Sequence, residues 1–156
     1  MRRQEREVRE LSEIVEIVNK CDVCRIAFSD NNIPYIVPMN FGFEIMENSI
    51  ILYLHCANEG KKINILNRNP NVCFEMDCEH ELITASTACG HSMKYESIIG
   101  NAVAEFITDS HEKKKALNLI MKKYTRKDDY TFDDKSLDRV TVLKLESSNF
   151  KAKRRA

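Results

Sequence analysis

The chain is 156 residues long, with 24 basic and 24 acidic side chains and a formal net charge of zero. That length suits one domain, 1–156, able to bury a core without disulfides or a structural metal. The charge balance removes the overall electrostatic case for nucleic acid, and no apolar run approaches the ~20 residues of a membrane helix. The first residues are charged throughout, which is not the pattern of a secretory leader. A cytoplasmic setting with reduced thiols is expected, so the six cysteines are not read as a disulfide framework.

In chain order, Leu11, Ile14, Val15 and Val18 recur at i, i+3, i+4 and i+7. This predicts an amphipathic helix with Ser12 as its cap and Asn19-Lys20 as its end. Val23 to Phe28 reads as a strand and Ser29-Asp30-Asn31-Asn32 as a turn. Pro34 opens the next strand, Tyr35-Ile36-Val37, which Pro38 interrupts. A proline there predicts a sheet edge or a bulge, because it has no N–H for a central ladder. Met39 to Phe43 continues that strand toward a turn at Glu47-Asn48-Ser49.

The run Ile50 to Leu54 predicts a strand that delivers His55-Cys56-Ala57-Asn58-Glu59-Gly60-Lys61-Lys62-Ile63. A helix follows to Asn67 and stops at Asn69-Pro70. Two lysines in a helix first turn are unfavourable beside its free N–H groups unless an anion joins them. Gly60 would let the backbone approach such a ligand. The segment thus reads as a phosphate cradle or as a solvated helix start.

Val72 to Met76 reads as a further strand, and residues 79–93, weakly patterned, as a long loop. Ser97 to Ile107 is a strand with a bulge expected at Gly100. Ser110 would cap a helix whose buried stripe is Ala116, Leu117, Ile120, Met121 and Tyr124. A polar segment leads to a last strand, Val140 to Leu145, and the short basic tail, 150–156, reads as a frayed terminus, as does Arg2-Arg3 at the other end. Six strands, three helices and mostly hairpin connections make the fold mainly β, an antiparallel barrel with peripheral helices.

Several chemistries find little support. Cys21 and Cys24 form one CxxC, and Cys89 with His91 could complete four zinc ligands, but the second half has poor spacing. The CxxC follows a helix and enters a strand, the reverse of a redox motif. Ser86 and Ser92 sit in no nucleophile elbow. The aromatic residues Tyr35, Phe41, Phe43, Tyr53 and Phe74 suit a barrel core. A Pro38-broken strand nonetheless frees backbone groups that could meet the edges of a planar ring.

Taken together, Cys24–Phe28, Pro34–Gly42, His55–Lys62, Asn69–Phe74 and Tyr95–Gly100 resemble the flavin-binding split-barrel proteins of the pyridoxamine-phosphate-oxidase-like superfamily. Within it they are most similar to the 5-nitroimidazole-resistance (Nim) proteins. The resemblance implies a six-stranded split β-barrel that binds FMN at a homodimer interface. It implies that Lys61 and Lys62 hold the phosphate, with Ser97 nearby and Arg25 a weaker contributor. Pro38, Met39, Asn40 and Phe41 would line the isoalloxazine, largely through backbone. His55 would sit beside flavin and substrate as the catalytic residue, with Tyr95 reaching in from the partner-facing strand. The implied activity is reduction of a small acceptor such as a nitro compound. The alternative is a non-enzymatic flavin or heme protein with His55 or His91 as axial ligand. The arginine-rich end of true pyridoxamine-phosphate oxidases is absent; Glu146-Ser147-Ser148-Asn149-Phe150 stands there instead.

Overall fold

Side-chain alternation organises this chain. In the computed structural model, which describes residues 3–46 and 49–156, Cys24, Ile26 and Phe28 are buried while Arg25 between them is exposed. The same period-2 pattern recurs from Val72 to Met76 and from Glu96 to Ala104, whereas Ile50 to Leu54 are all buried. The strands are β1 (Glu7–Val8), β2 (Cys24–Asp30), β3 (Ile33–Met39), β4 (Gly42–Met46), β5 (Ser49–Ala57), β6 (Asn71–Ile83), β7 (Ser92–Ile107) and β8 (Val140–Arg155). The helices are α1 (Leu11–Lys20), α2 (Lys61–Leu66), α3 (Ser110–Thr125) and α4 (Asp134–Leu137). All pairings are antiparallel, in the order β3-β2-β6-β7-β8-β5-β4, with β1 beside β8.

One face of this sheet encloses a single core. Ile26, Phe74, Ile98, Leu145 and Leu52 come from five different strands yet share one cluster, to which α1 adds Ile14, Ile17 and Val18. The sheet curls around this cluster as a split barrel whose end strands, β3 and β4, do not pair. Outside it, Ala116, Leu117 and Ile120 of α3 pack on Ile51, Tyr53, Ile107 and Val142 in a second cluster that Leu137 of α4 completes. The fold is therefore mainly β with peripheral helices, as expected.

Among the described residues the strand count is eight rather than six, and the additions have physical causes. The expected run from Tyr35 to Phe43 breaks between β3 and β4, because the Phe41 N–H donates to the Tyr124 hydroxyl rather than to a ladder. β1 is only two residues long, too short to show a period. β3 lies at one edge of the sheet order, which lets Pro34 and Pro38 sit in it without costing an internal ladder. Asn31 and Asn32, with φ of 51° and 68°, turn the β2–β3 hairpin in the left-handed region that Asn tolerates.

Four local expectations are corrected. Residues 79–93 are mostly strand: β6 runs to Ile83 and β7 starts at Ser92, with a bulge between Cys78 and Glu81 where Glu79 has φ 59°. Both faces of that arm are largely exposed, so no apolar alternation marks it. The bulge expected at Gly100 lies between Asn101 and Val103; Gly100 instead leaves room for the buried Phe74 ring. The caps are Asp109, whose side chain accepts from Glu112 N–H at 2.9 Å, and Glu10, not Ser110 and Ser12, which lie inside their helices. The basic tail is not frayed. Lys151 to Arg155 belong to β8, in register with Ile99 to Tyr95, and Ala152 is buried. The expected turn residues Glu47 and Asn48, and Arg2, lie outside the described residues. No described helix is long and apolar enough to cross a membrane.

Candidate functional site

The His55–Lys62 segment forms as its residues dictate. β5 ends at Ala57, and after the three residues 58–60 α2 begins at Lys61. Asn58 pins the connection to β8: its amide donates to Asp138 carbonyl at 2.6 Å and accepts from the Thr141 hydroxyl at 3.0 Å. Gly60 has φ 129°, which an L side chain rarely adopts. A Cβ there would meet nothing within 4 Å. Gly60 is therefore required by its backbone conformation, and the space beside it is open.

Lys61 leans toward the β2–β3 hairpin. Its ammonium lies 3.5 Å from Asp30 and 4.6 Å from the Tyr35 ring centroid. Asp30 also takes Arg68 at 3.0 Å. Lys62 is half-buried and close enough to Cys56 to draw its thiol down, although burial has the larger effect and leaves that thiol above its ordinary value. Cys56 is thus held protonated at neutral pH. His55 is exposed on β5, on the face of Tyr53 and Ile51, opposite Val142 of β8. Lysines, glycine turn and open space suit a phosphate-bearing group.

A second set shares the outer face of the sheet. Pro38, Arg25, Glu75, Ile99 and Lys151 form one cross-strand row; Asp77, Ser97 and Lys153 form the next. Tyr95 continues the line opposite Arg155. Arg25 bonds Asp77 at 2.6 Å and Glu75 at 3.1 Å, so two carboxylates already match its charge. Ser97 borders a shallow cavity of about 280 Å³ with Ile99, Phe150 and Lys153, and Tyr95 borders one of about 470 Å³ with His80 and Arg155. The face is open and partly apolar: Ile36 is 59% exposed, Ile99 50% and Val103 51%.

A third set is the strand break. Met39 and Phe41 are buried among the barrel core, whereas Pro38 and Asn40 are exposed. One chain thus unites Arg25, Pro38, Ser97 and Tyr95 on a face and His55 with Lys61 and Lys62 around a turn. The two groups share no cavity described above.

The alternative ligand sets are dispersed. Cys21 and Cys24 are fully buried, and burial pushes both thiols up, Cys24 to about 12. Cys89 and His91 lie exposed in the β6–β7 connection, where a His91 ring nitrogen meets Thr87 carbonyl at 2.9 Å. Among the described residues no three His, Cys, Asp or Glu side chains gather as a metal site. His55 and His91 are both exposed. The sequence reading missed Asp30, Asn58 and Tyr124; of these only Asn58, in a loop before a glycine, carried a local signal.

Comparison with known proteins follows this geometry. The family model described as pyridoxamine 5'-phosphate oxidase matches residues 10–154. A protein from Bacteroides thetaiotaomicron, described as a candidate 5-nitroimidazole antibiotic resistance protein, is 36% identical, with a TM-score of 0.82 over 95% of this chain and 86% of that one. Flavocytochrome Anf3 from Azotobacter vinelandii shares the fold at 17% identity, with a TM-score of 0.79 over 100% of this chain and 72% of that one. So does an FAD and heme binding protein from Mycobacterium smegmatis, at 14% identity and a TM-score of 0.79, covering 96% and 73%. A search of the curated proteins finds no match. The chain belongs to the pyridoxamine 5'-phosphate oxidase-like family.

Proposed function

We propose that this protein binds FMN as a homodimer and reduces a small acceptor such as a nitroimidazole or another nitro compound. The carrying observation is the 36% identity to the candidate 5-nitroimidazole resistance protein across 95% of this chain. The donor set supports it. Lys61 and Lys62 stand beside an open glycine turn, Ser97 offers a hydroxyl, and Asn40 exposes a polar edge at the strand break. Arg25 adds little net positive charge, since Glu75 and Asp77 already hold it. The open outer face with Ile36, Ile99 and Val103 suits a second copy of the chain, which would bring the face-borne and turn-borne groups together across an interface.

Bound flavin would supply the electron transfer. The residues supply position and protons. Lys61, released from Asp30, would pair with the phosphate alongside Lys62. Met39, Asn40 and Phe41 would hold the ring through backbone groups. His55, solvated at the end of β5, would donate a proton to the reduced acceptor.

The test is a visible spectrum with FMN and FAD titrations of the purified protein. Saturable FMN binding is expected. A Lys61→Glu, Lys62→Glu double variant should raise Kd by roughly 100-fold, the loss of two charge-assisted contacts. His55→Ala should keep FMN yet lower acceptor reduction by about 100-fold. A protein that takes up no flavin rejects the reading. Light scattering reads the mass, and a monomer rejects the interface.

A further inference from the structure

Between β3 and β4 the chain leaves the ladder for Asn40 and Phe41. Phe41 is fully buried, where an unpaired N–H is costly. The Tyr124 hydroxyl accepts that N–H at 3.0 Å and donates to the Asp22 carbonyl at 2.8 Å. One hydroxyl on α3 therefore ties the strand break to the connection between α1 and β2. The neighbouring Lys123 reinforces it: its ammonium donates to Val18 carbonyl at 2.8 Å and Asn19 carbonyl at 3.3 Å, and lies 4.5 Å from the Phe41 ring centroid. The break is held from the α3 side, while Pro38 and Asn40 face solvent.

The peptide between Asn40 and Phe41 is planar and trans. Its N–H and C=O point in opposite directions. Aiming the Phe41 N–H at Tyr124 thus aims the Asn40 carbonyl away from α3. Small rotations of that plane would misdirect the acceptor, and hydrogen bonds weaken steeply with angle.

We propose that Tyr124 is a positioning residue for the flavin: its hydroxyl fixes the Asn40–Phe41 peptide so that the Asn40 carbonyl meets an N–H on the edge of the ring. This rests on the flavin reading above. Tyr124 itself touches no ligand; it acts through the peptide, as a supporting residue behind a binding backbone does.

Tyr124→Phe removes the hydroxyl and keeps the ring, at a residue 38% exposed. Two readouts test it: hydrogen exchange of the Phe41 amide without ligand, and FMN and FAD titrations read by fluorescence and visible spectrum. The Phe41 amide should exchange roughly tenfold faster, and flavin Kd should rise roughly tenfold, the worth of one hydrogen bond. The visible band of the bound flavin should move toward that of free flavin, a shift that a general loss of stability would not produce. If the wild type binds flavin and Tyr124→Phe matches it in affinity and spectrum, the positioning role is overturned alone. A wild type that binds neither FMN nor FAD overturns the cofactor reading, and the role with it. Unchanged Phe41 exchange overturns the clamp whatever the flavin does.

Discussion

Gly42→Ala lowers the stability of this protein by about 3 kcal/mol or more, the upper range for overpacking a buried position. A Cβ at Gly42 would lie 2.5 Å from Ile120 N and 2.6 Å from Leu119 C, both backbone atoms of α3. No rotamer change relieves such a contact. Either α3 moves off the sheet, opening the cluster of Ile51, Tyr53, Ala116 and Ile120, or β4 moves off β5. Gly100 differs in part: the Phe74 ring there can turn only within a fully buried site, and the Phe150 Cβ is fixed by its backbone, so an alanine at Gly100 is also costly. For a chain of this size 3 kcal/mol corresponds to a fall in Tm on the order of 10 °C. Thermal melts of both alanine variants check it; a Gly42→Ala melt within two degrees of wild type, by the same order of estimate, would show that α3 does not press on this strand.

Glu96→Gln has the next largest effect. Glu96 is 5% exposed on β7 and accepts from Lys20 of α1 at 2.9 Å and Arg154 of β8 at 2.5 Å. Arg154 also reaches Glu13 and Glu16 of α1. The network fastens α1 to the two longest strands. Glu96 is buried but its cationic partners reach solvent, so losing the charge costs on the order of one charge-assisted hydrogen bond, about 2 kcal/mol. The pH dependence has a definite sign. Burial pushes the Glu96 carboxyl up, but Lys20 and Arg154 outweigh it and leave it below the ordinary value. A carboxylate held low in the folded state stabilises fully above its unfolded pKa, about 4.3. That stabilisation is lost as pH falls through the lower folded value. Wild type should therefore exceed Glu96→Gln most at neutral pH, and the gap should narrow below about pH 4. Urea melts at neutral and acid pH read the difference; a gap independent of pH would remove the charge from the account.

The elements legible in the sequence were those whose residues carry a period. α1 and most of α3 showed their stripes, although Tyr124 of the expected α3 stripe is exposed. β2 and the middle of β7 showed alternation because each presses one face on a core, and β5 showed an unbroken apolar run because Ile50, Leu52 and Leu54 face one cluster while Ile51 and Tyr53 face the other. The edge position of β3 was legible in Pro34 and Pro38, whose missing N–H groups fit no interior ladder. The outer half of β6 and the end of β8 were not legible. Leu82 and Met93 face each other across an arm exposed on both sides, and Lys151 to Arg155 is a charged run whose partners lie elsewhere in the chain. Composition alone marks such segments as loop and tail.

The site divided along the same line. The glycine turn and its lysines were legible because Gly60, Lys61 and Lys62 are contiguous, and the physics of a positive φ and of like charges at a helix start is local. The order of the family blocks was likewise in the chain itself, and the match over residues 10–154 bore it out. What only the tertiary structure decided was where charge and backbone are committed. Arg25 faces Glu75 and Asp77, 50 and 52 residues away, and the Phe41 N–H finds its acceptor in Tyr124, 83 residues on. No local pattern encodes such partners, since they meet only when the sheet has curled and α3 has packed across the break. Local chemistry determined the elements and the turn; the closing of the barrel chose which groups hold one another and which remain open to a ligand.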